Sequence, residues 1–137
     1  MAARVHGRLL AGEAGEIVGV SGTTIGQWAR HGYIRPSQSA ELPHVYSVED
    51  VAEAAIVATL LARGVRHADV RKAIERLRSY GDWPLSEARL ATTREPRPRI
   101  VLEEDGRRFL LSDRGWQQLV LEPDSDEVRV RLRPVAA

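Results

Sequence analysis

Residues 22–30 of this 137-residue chain hold the side chains best suited to specific hydrogen bonding. Thr23, Thr24 and Gln27 are polar, and none of them suits a position in a buried core. A glutamine amide can pair with the edge of an adenine, and a threonine can reach a phosphate or a thymine methyl group. Arg30, further along, can neutralise a phosphate. The alternative interpretation of the same residues is simply the polar side of a short amphipathic helix.

Other kinds of chemistry find little support in the residue types. Cysteine is absent, which excludes disulfides, cysteine-based zinc sites and thiol redox chemistry. The histidines are scattered without metal-ligand spacing, and no nucleophile–base pair or phosphate-binding loop is found. These histidines are His6, His31, His44 and His67. We therefore expect no metal, no cofactor and no enzymatic activity.

The composition is that of a globular protein. The apolar fraction of 43% is enough for a packed core, and the net charge is only +1. Nearly all of the positive charge is arginine, because Lys72 is the only lysine. Arginine favours bidentate contacts with phosphate and guanine, but a GC-rich genome produces the same bias. No apolar run approaches the ~18 residues that span a bilayer, and no signal peptide is evident, so we expect a cytoplasmic location.

Two short helices joined by a tight turn are predicted to carry the polar stretch. The first covers residues 11–18 and the second residues 22–31, each with an apolar face at helical spacing. Gly19 supplies the turn between them, Ser21 is a natural N-cap, and Gly32 closes the second helix. The apolar faces are predicted to consist of Ala14, Ile17 and Val18 in the first helix and Ile25, Trp28 and Ala29 in the second. This order is the helix-turn-helix signature.

Two further helices follow a segment without periodicity. Residues 35–45 contain prolines and are predicted to form a loop or a β-wing. Ser47 and Asp50 form a variant capping box before residues 51–61, which are apolar on nearly all sides and are predicted to be the central helix. Residues 67–80 form a fourth amphipathic helix, which a glycine and a proline end.

Beyond Pro84 the hydrophobic period changes to that of β-strands. The dipeptide Asp105-Gly106 is a two-residue hairpin signal. The predicted strands are residues 87–92, 99–103, 107–112, 117–122 and 128–133. In the last strand Arg129, Arg131 and Arg133 alternate with apolar residues, and we favour a charged edge strand over a nucleic-acid contact. Trp83 and Trp116 are predicted to be packing anchors.

Taken in order, these segments resemble the head of the MerR family. The matching strings are VSGTTIGQWARHGYI at residues 20–34, HVYSVEDV at residues 44–51 and LLARGVRHADVRKAI at residues 60–74. That family shows a Gly-Val-Ser turn, a recognition helix opened by threonine and leucine or isoleucine, a wing that ends in Tyr-Ser-x-x-Asp, and a Leu-x-x-x-Gly helix break. The resemblance covers residues 10–78 and implies a winged helix-turn-helix that binds DNA.

The resemblance also implies which residues contact DNA. Thr23, Thr24, Gln27 and Arg30 fall on recognition-helix positions, and Arg35, His44 and Tyr46 flank the wing, where such proteins grip the sugar-phosphate backbone. The sequence departs from the family pattern because Gly26 and Gln27 replace the usual arginine–tyrosine pair, and because the wing has few cations. The small number of cations in the wing predicts weaker affinity or a strong dependence on dimerisation.

We therefore expect an α+β protein. A MerR-like winged helix-turn-helix of four helices is predicted in residues 1–81, and a small antiparallel β-rich lobe in residues 82–137. The expected function is sequence-specific transcriptional regulation, by a homodimer bound to double-stranded DNA and to no membrane. A full MerR regulator continues into a long dimerisation helix. Here residues 82–93 and the following hairpin more closely resemble short VapB-type antitoxins, so the alternative is an antitoxin that binds a nuclease toxin through the β lobe.

Overall fold

The computed structural model describes residues 5–94, 96–122 and 129–134, and it confirms the α+β fold. In this part of the chain five α-helices and a single 3₁₀ turn precede five β-strands. The helical elements are α1 (Ala11–Val18), α2 (Gly22–Arg30), α3 (Val48–Ala62), α4 (His67–Arg76), the 3₁₀ turn (Arg78–Tyr80) and α5 (Pro84–Glu87). The strands are β1 (Arg89–Thr92), β2 (Ile100–Glu104), β3 (Arg107–Ser112), β4 (Gly115–Glu122) and β5 (Arg129–Pro134).

The predicted central helix is confirmed in α3. Its capping box is complete, because the Ser47 hydroxyl accepts from the Asp50 backbone N–H at 3.1 Å and the Asp50 carboxylate accepts from the Ser47 N–H at 2.9 Å. Such a cap stabilises a helix by about 1 kcal/mol. The apolar residues that α3 buries are Val51, Ala54, Val57 and Leu60.

The fourth helix is shorter than its sequence pattern predicts. The α-helical part of residues 67–80 ends at Arg76, and the last turn tightens into the 3₁₀ turn before Gly81. Such tightening is common at helix C-termini, where the final carbonyls lack α-helical partners. The predicted stop at Gly81 is nevertheless correct, since the chain takes φ of 120° there.

A short helix, α5, occupies a position where the sequence predicted only a helix stop and the start of a strand. Pro84 is the first helical residue, a position at which its missing N–H costs nothing. The Glu53 carboxylate of α3 accepts from the backbone N–H groups of Leu85 at 2.9 Å and Ser86 at 2.8 Å. Burial raises the pKa of Glu53, and these hydrogen bonds oppose that rise. The prediction that Glu87 begins a strand is therefore wrong, and β1 starts at Arg89.

The five strands form one antiparallel sheet in the order β1-β2-β3-β4-β5. The predicted Asp105-Gly106 hairpin is confirmed, with positive φ at both residues (52° and 74°), as a two-residue turn of this kind requires. The register pairs Leu102 with Phe109 and Leu111 with Trp116 across neighbouring strands. The predicted side-chain alternation of the last strand lies outside the described residues.

One hydrophobic cluster joins the helices to the sheet. It contains Val57 and Leu60 of α3 together with Ile100 and Leu102 of β2, and all four are nearly or fully buried. Burial of apolar side chains of this size stabilises the fold by roughly 1.5–3 kcal/mol each. The division of the chain at residues 81 and 82 stays a prediction, and this cluster includes residues from both sides of it.

The apolar face predicted for α1 is only partly correct. Ala14 is 1% exposed and Val18 is half-buried, whereas Ile17 is 64% exposed. The reason is that glycines rather than large side chains form the rest of the contact with α2, so α1 buries a narrow face.

Candidate nucleic-acid interface

The turn between α1 and α2 depends on backbone contact at Gly15. A Cβ atom added to Gly15 would lie 2.5 Å from the carbonyl oxygen of Val20, closer than any real contact. Gly19 takes φ of 91°, and both Gly19 and Val20 donate backbone hydrogen bonds to the Gly15 carbonyl, at 2.7 and 2.9 Å. This left-handed glycine ends α1 and reverses the chain. On the other side of the contact, a Cβ on Gly22 would lie 3.1 Å from the Cα of Gly12.

Ser21 caps α2 as predicted. Its side-chain oxygen accepts from the Thr24 backbone N–H at 3.0 Å, and it also forms a 2.9 Å hydrogen bond with the Thr24 hydroxyl. Thr24 is half-buried. Its hydroxyl therefore helps to cap the start of α2. Thr24 lies at the edge of the exposed surface of α2 and not at the centre of that surface.

The buried side of α2 anchors the helix firmly. Ile25 has no exposed surface and Trp28 is 5% exposed, and Ala29 packs against the same core. The C-terminus closes with a backbone hydrogen bond from Tyr33 to the Trp28 carbonyl at 2.9 Å, with Gly32 at φ of 78°. All three predicted core residues of α2 and its glycine stop are confirmed.

The opposite side of α2 presents a polar stripe. Thr23, Gln27 and Arg30 are exposed and, at spacings of four and three residues, lie along one face of the helix. Between them a Cβ at Gly26 would meet no atom within 4 Å. The α2 stripe, meaning Thr23, Gln27 and Arg30, is thus a polar surface with open space along it, carried on a rigidly packed helix.

Arg35 is not a free cation at the base of the wing. Its guanidinium lies 3.1 Å from the Asp82 carboxylate, and its Cζ is 5.1 Å from the centroid of the Trp83 ring. The side chain is 49% exposed, so one face remains accessible to solvent. Its role as a DNA contact stays a prediction, but Asp82 competes with a phosphate for it.

Tyr46 is placed in the core, and we correct its predicted contact with the DNA backbone. The residue has no exposed surface. Burial, aided by the negative charge of Asp50, raises the pKa of Tyr46, while the charge of Arg30 acts in the opposite direction. His44 packs edge-on against the Tyr46 ring, with 6.4 Å between centroids, and is half-buried. The sequence pattern could not separate an aromatic wing contact from an aromatic core residue, since tyrosine serves in both.

The predicted wing is a turn-rich segment with isolated β-bridges. One bridge pairs Ser39 with Val45, and another pairs Leu9 with Tyr46. The N-terminal segment thereby joins the wing base, where Gln38 also donates from its side-chain amide to the Gly7 carbonyl at 2.7 Å. Leu42, near the tip, is 85% exposed. The described part of this segment therefore offers few cationic contacts, as the sequence indicates.

Next to α2, an arginine and two histidines cluster around Tyr33, and this cluster was missed in the sequence. The Tyr33 ring lies 6.0 Å from that of His31 and 5.8 Å from that of His67, measured between centroids. The Tyr33 hydroxyl lies 3.1 Å from His67 Nδ1, and Arg71 Cζ lies 5.9 Å from the Tyr33 ring centroid. The only sequence signal was the spacing of His67 and Arg71, which are four residues apart in α4. We call His31, Tyr33, His67 and Arg71 the Tyr33 cluster.

The fold and this surface define a helix-turn-helix protein, in which α1 packs against both α2 and α3. Residues 11–77, just under half of the chain, match the family model described as MerR HTH family regulatory protein. The match begins with α1 and ends directly after α4, so it includes the turn, the α2 stripe and the wing segment. The comparisons with curated proteins and with solved structures gave no match.

The described residues contain neither a membrane-spanning helix nor a metal-binding cluster. No helix there is long and apolar enough to cross a membrane. No group of three or more histidine, aspartate or glutamate residues in the same part of the chain has metal-binding geometry.

Proposed function

We propose that this protein is a sequence-specific DNA-binding transcriptional regulator. The observation that carries the proposal is the exposed α2 stripe, backed by the buried side chains of Ile25 and Trp28, within a MerR-type helix-turn-helix match. A recognition helix works in this way, because it must present polar side chains to base edges while remaining rigid.

Each residue of the stripe has a distinct role in this proposal. Gln27 pairs with the edge of an adenine, and Thr23, in the first turn, contacts a neighbouring base or phosphate. Arg30 lies near the C-terminus of α2 and neutralises a phosphate. Thr24 acts mainly through the Ser21 cap, because its hydroxyl already bonds to the Ser21 side chain.

The Tyr33 cluster is proposed to supply a further contact with the DNA backbone. Its exposed members are His31, which directly follows α2, and His67 and Arg71, which lie in α4. Tyr33, which is 3% exposed, holds them together. Arg71 adds a cation beside the stripe, and such backbone contacts set the register of a protein on the duplex.

We propose that the active form is a homodimer. One small helix-turn-helix contacts too few base pairs for useful specificity, and two copies bind half-sites about one helical turn or a multiple apart. A regulator of this type works in the cytoplasm, and we propose binding, without catalysis, as its activity.

The test is DNA selection from random sequence, followed by electrophoretic shift assays on the selected site. Q27A is expected to reduce discrimination against mismatched sites by about 1–3 kcal/mol, because the base-specific hydrogen bonds are lost. R30A is expected to weaken binding to all sequences and to lower the salt slope by about one unit. R107A removes a cation from the β2–β3 hairpin and is the matched control. Equal binding by all variants would contradict the proposal.

A second candidate function is an antitoxin that binds a nuclease toxin through the β lobe. The observation in its favour is that, in the described residues after α4, a five-stranded sheet stands where a full MerR regulator has a long dimerisation helix. The test is whether this protein co-purifies with a nuclease encoded by an adjacent gene. Inhibition of that nuclease would favour the antitoxin, and a lone reading frame would count against it.

A further inference from the structure

The outer edge of the sheet has free backbone hydrogen-bonding groups at β1. Among the described strands β1 pairs with β2 alone, and the Thr93 N–H beyond its end donates to the Arg99 carbonyl at 3.0 Å. In an antiparallel pair the bonded positions alternate, so Ala91 also faces β2. Leu90 and Thr92 therefore point their N–H and C=O groups away from β2, and in the described residues those groups have no protein partner.

A groove runs beside this free edge. Two clefts of about 240 and 550 Å³ share Arg63 and Ala91 and together extend along β1 and the residues that follow it. We call the pair the β1–α3 groove. Its apolar floor is formed by Ile56 and Leu60 of α3, Leu85 of α5 and Leu90 of β1.

The charge of the groove is entirely positive among its described lining residues. Arg63 and Arg94 line it, and none of the other described lining residues is acidic. Arg63 spans the edge, because its Nη1 donates to the Thr92 hydroxyl at 3.4 Å. An extended peptide that carries carboxylates at alternate residues would pair them with these guanidinium groups.

We propose that the β1–α3 groove binds an extended acidic peptide segment of a partner protein, which adds to the sheet as a strand beside β1. Backbone groups of the peptide pair with those of Leu90 and Thr92, its apolar side chains contact Ile56 and Leu60, and its carboxylates contact Arg63 and Arg94. Strand addition at a free edge combines main-chain affinity with side-chain selectivity in this way. Peptide binding in the β1–α3 groove does not require the DNA contacts proposed for α2.

The experiment uses the full chain and two fluorescein-labelled peptides of about eight residues, one alternating aspartate with valine and one alternating lysine with valine. Fluorescence anisotropy is expected to show binding of the aspartate peptide only. R63E is expected to weaken that binding at least about tenfold, because it reverses a charge in the groove, while R107E changes it less than about twofold. Binding of neither peptide, or equal binding of both, would overturn the proposal.

Two further variants test the backbone hydrogen bonds between the peptide and β1. T92P removes an outward-facing N–H and blocks the edge, a substitution that edge strands tolerate at such positions. T92V loses the same hydroxyl contact with Arg63 but keeps the backbone group, and is the matched control. T92P is expected to weaken peptide binding at least about tenfold relative to T92V, while both leave DNA shifts unchanged.

Amide hydrogen exchange of the unmodified protein gives a second measurement that does not depend on a variant folding. Saturating aspartate peptide is expected to slow exchange at Leu90 and Thr92 at least about tenfold, because their N–H groups acquire partners. Unchanged exchange at both residues would overturn the proposal. The proposal would also be overturned if the protein bound no peptide but had twice the monomer mass in solution, and if T92P abolished that dimer. That result would assign the edge to a second copy of this chain.

Discussion

The indole N–H of Trp83 donates a hydrogen bond to the carboxylate of Asp50, with Nε1 and Oδ1 2.9 Å apart. Asp50 is 1% exposed, and its other oxygen accepts from the backbone N–H groups of Ser37 at 2.7 Å and Ser47 at 2.9 Å. Trp83 directly precedes α5, whereas Ser37 lies at the base of the wing. One buried carboxylate therefore connects the wing, α3 and the segment that leads into the sheet.

The first prediction concerns this connection. W83F keeps most of the aromatic volume but removes one of the donors to a buried carboxylate. We expect the free energy of unfolding to fall by about 1–3 kcal/mol, measured by urea denaturation. W116F is the control. Trp116 is half-buried, and the described structure contains no hydrogen bond from its indole N–H. We expect W116F to lower the free energy of unfolding by less than W83F does. Equal losses in the two variants would show that ring volume, and not the bond to Asp50, matters.

The second prediction concerns the close contact between α1 and the turn. In G15A the new methyl group would lie 2.5 Å from the Val20 carbonyl oxygen, so the turn must shift. We expect a loss of at least about 2 kcal/mol in the free energy of unfolding, together with weaker DNA binding, because α2 moves. G12A is the matched control, since a methyl group there meets nothing within 4 Å and raises helix propensity. A stable, DNA-binding G15A protein would contradict this account of the turn.

The third prediction concerns the open space at Gly26. G26A is expected to raise the free energy of unfolding by about 0.5–1 kcal/mol, because alanine favours helix and no atom lies within 4 Å of the new methyl group. G26R supplies the arginine typical of the MerR recognition helix. We expect it to strengthen DNA binding and to steepen the salt slope by about one unit relative to G26A. An unchanged slope would mean that this side of α2 does not face the duplex.

The fourth prediction concerns the dependence of stability on pH. The His6 ring lies 2.6 Å from the Glu49 carboxylate, and hydrogen bonds from the ring and the backbone N–H of His6 lower the pKa of Glu49 from 4.5 to about 2. Because the folded-state pKa is lowered, the stability contributed by ionised Glu49 is present above pH 4.5 and is lost as the pH falls through about 2.

E49Q tests this dependence. The unmodified protein is expected to be more stable than E49Q above pH 4.5, and the difference is expected to shrink as the pH falls towards 2. Urea denaturation at several pH values measures the difference, and E16Q, at an exposed glutamate of α1, is the control. A difference that stays constant with pH would exclude the ionised carboxylate as its source.

Local signals in the sequence were sufficient for most of the secondary structure. The Ser21 cap, the capping box of Ser47 and Asp50, and the Asp105-Gly106 hairpin are all confirmed. Each involves residues at most three positions apart, so the residue types that form the contact can be read directly from a short string. The register between β2 and β3 follows from that hairpin, because a two-residue turn makes Glu104 and Arg107 partners.

The errors have a common physical cause. α5 was missed because its N–H groups bond to Glu53, more than thirty positions earlier in the chain. The contacts of Arg35 with Asp82 and the Trp83 ring were missed for the same reason, because both partners lie far along the sequence. A short window contains no information about such partners, so propensity alone favours the wrong element or the wrong degree of exposure.

The sequence by itself therefore determined the order of the first four helices and the five strands, the helix-turn-helix and the polar character of α2, because these follow from caps, turns and hydrophobic period. Only the tertiary structure decided which polar and aromatic residues remain accessible. Thr23, Gln27 and Arg30 stay exposed, while Tyr46 is buried. The physical reason is that burial and pairing depend on packing between distant segments, so tyrosine and arginine are assigned to core or surface only when the chain folds.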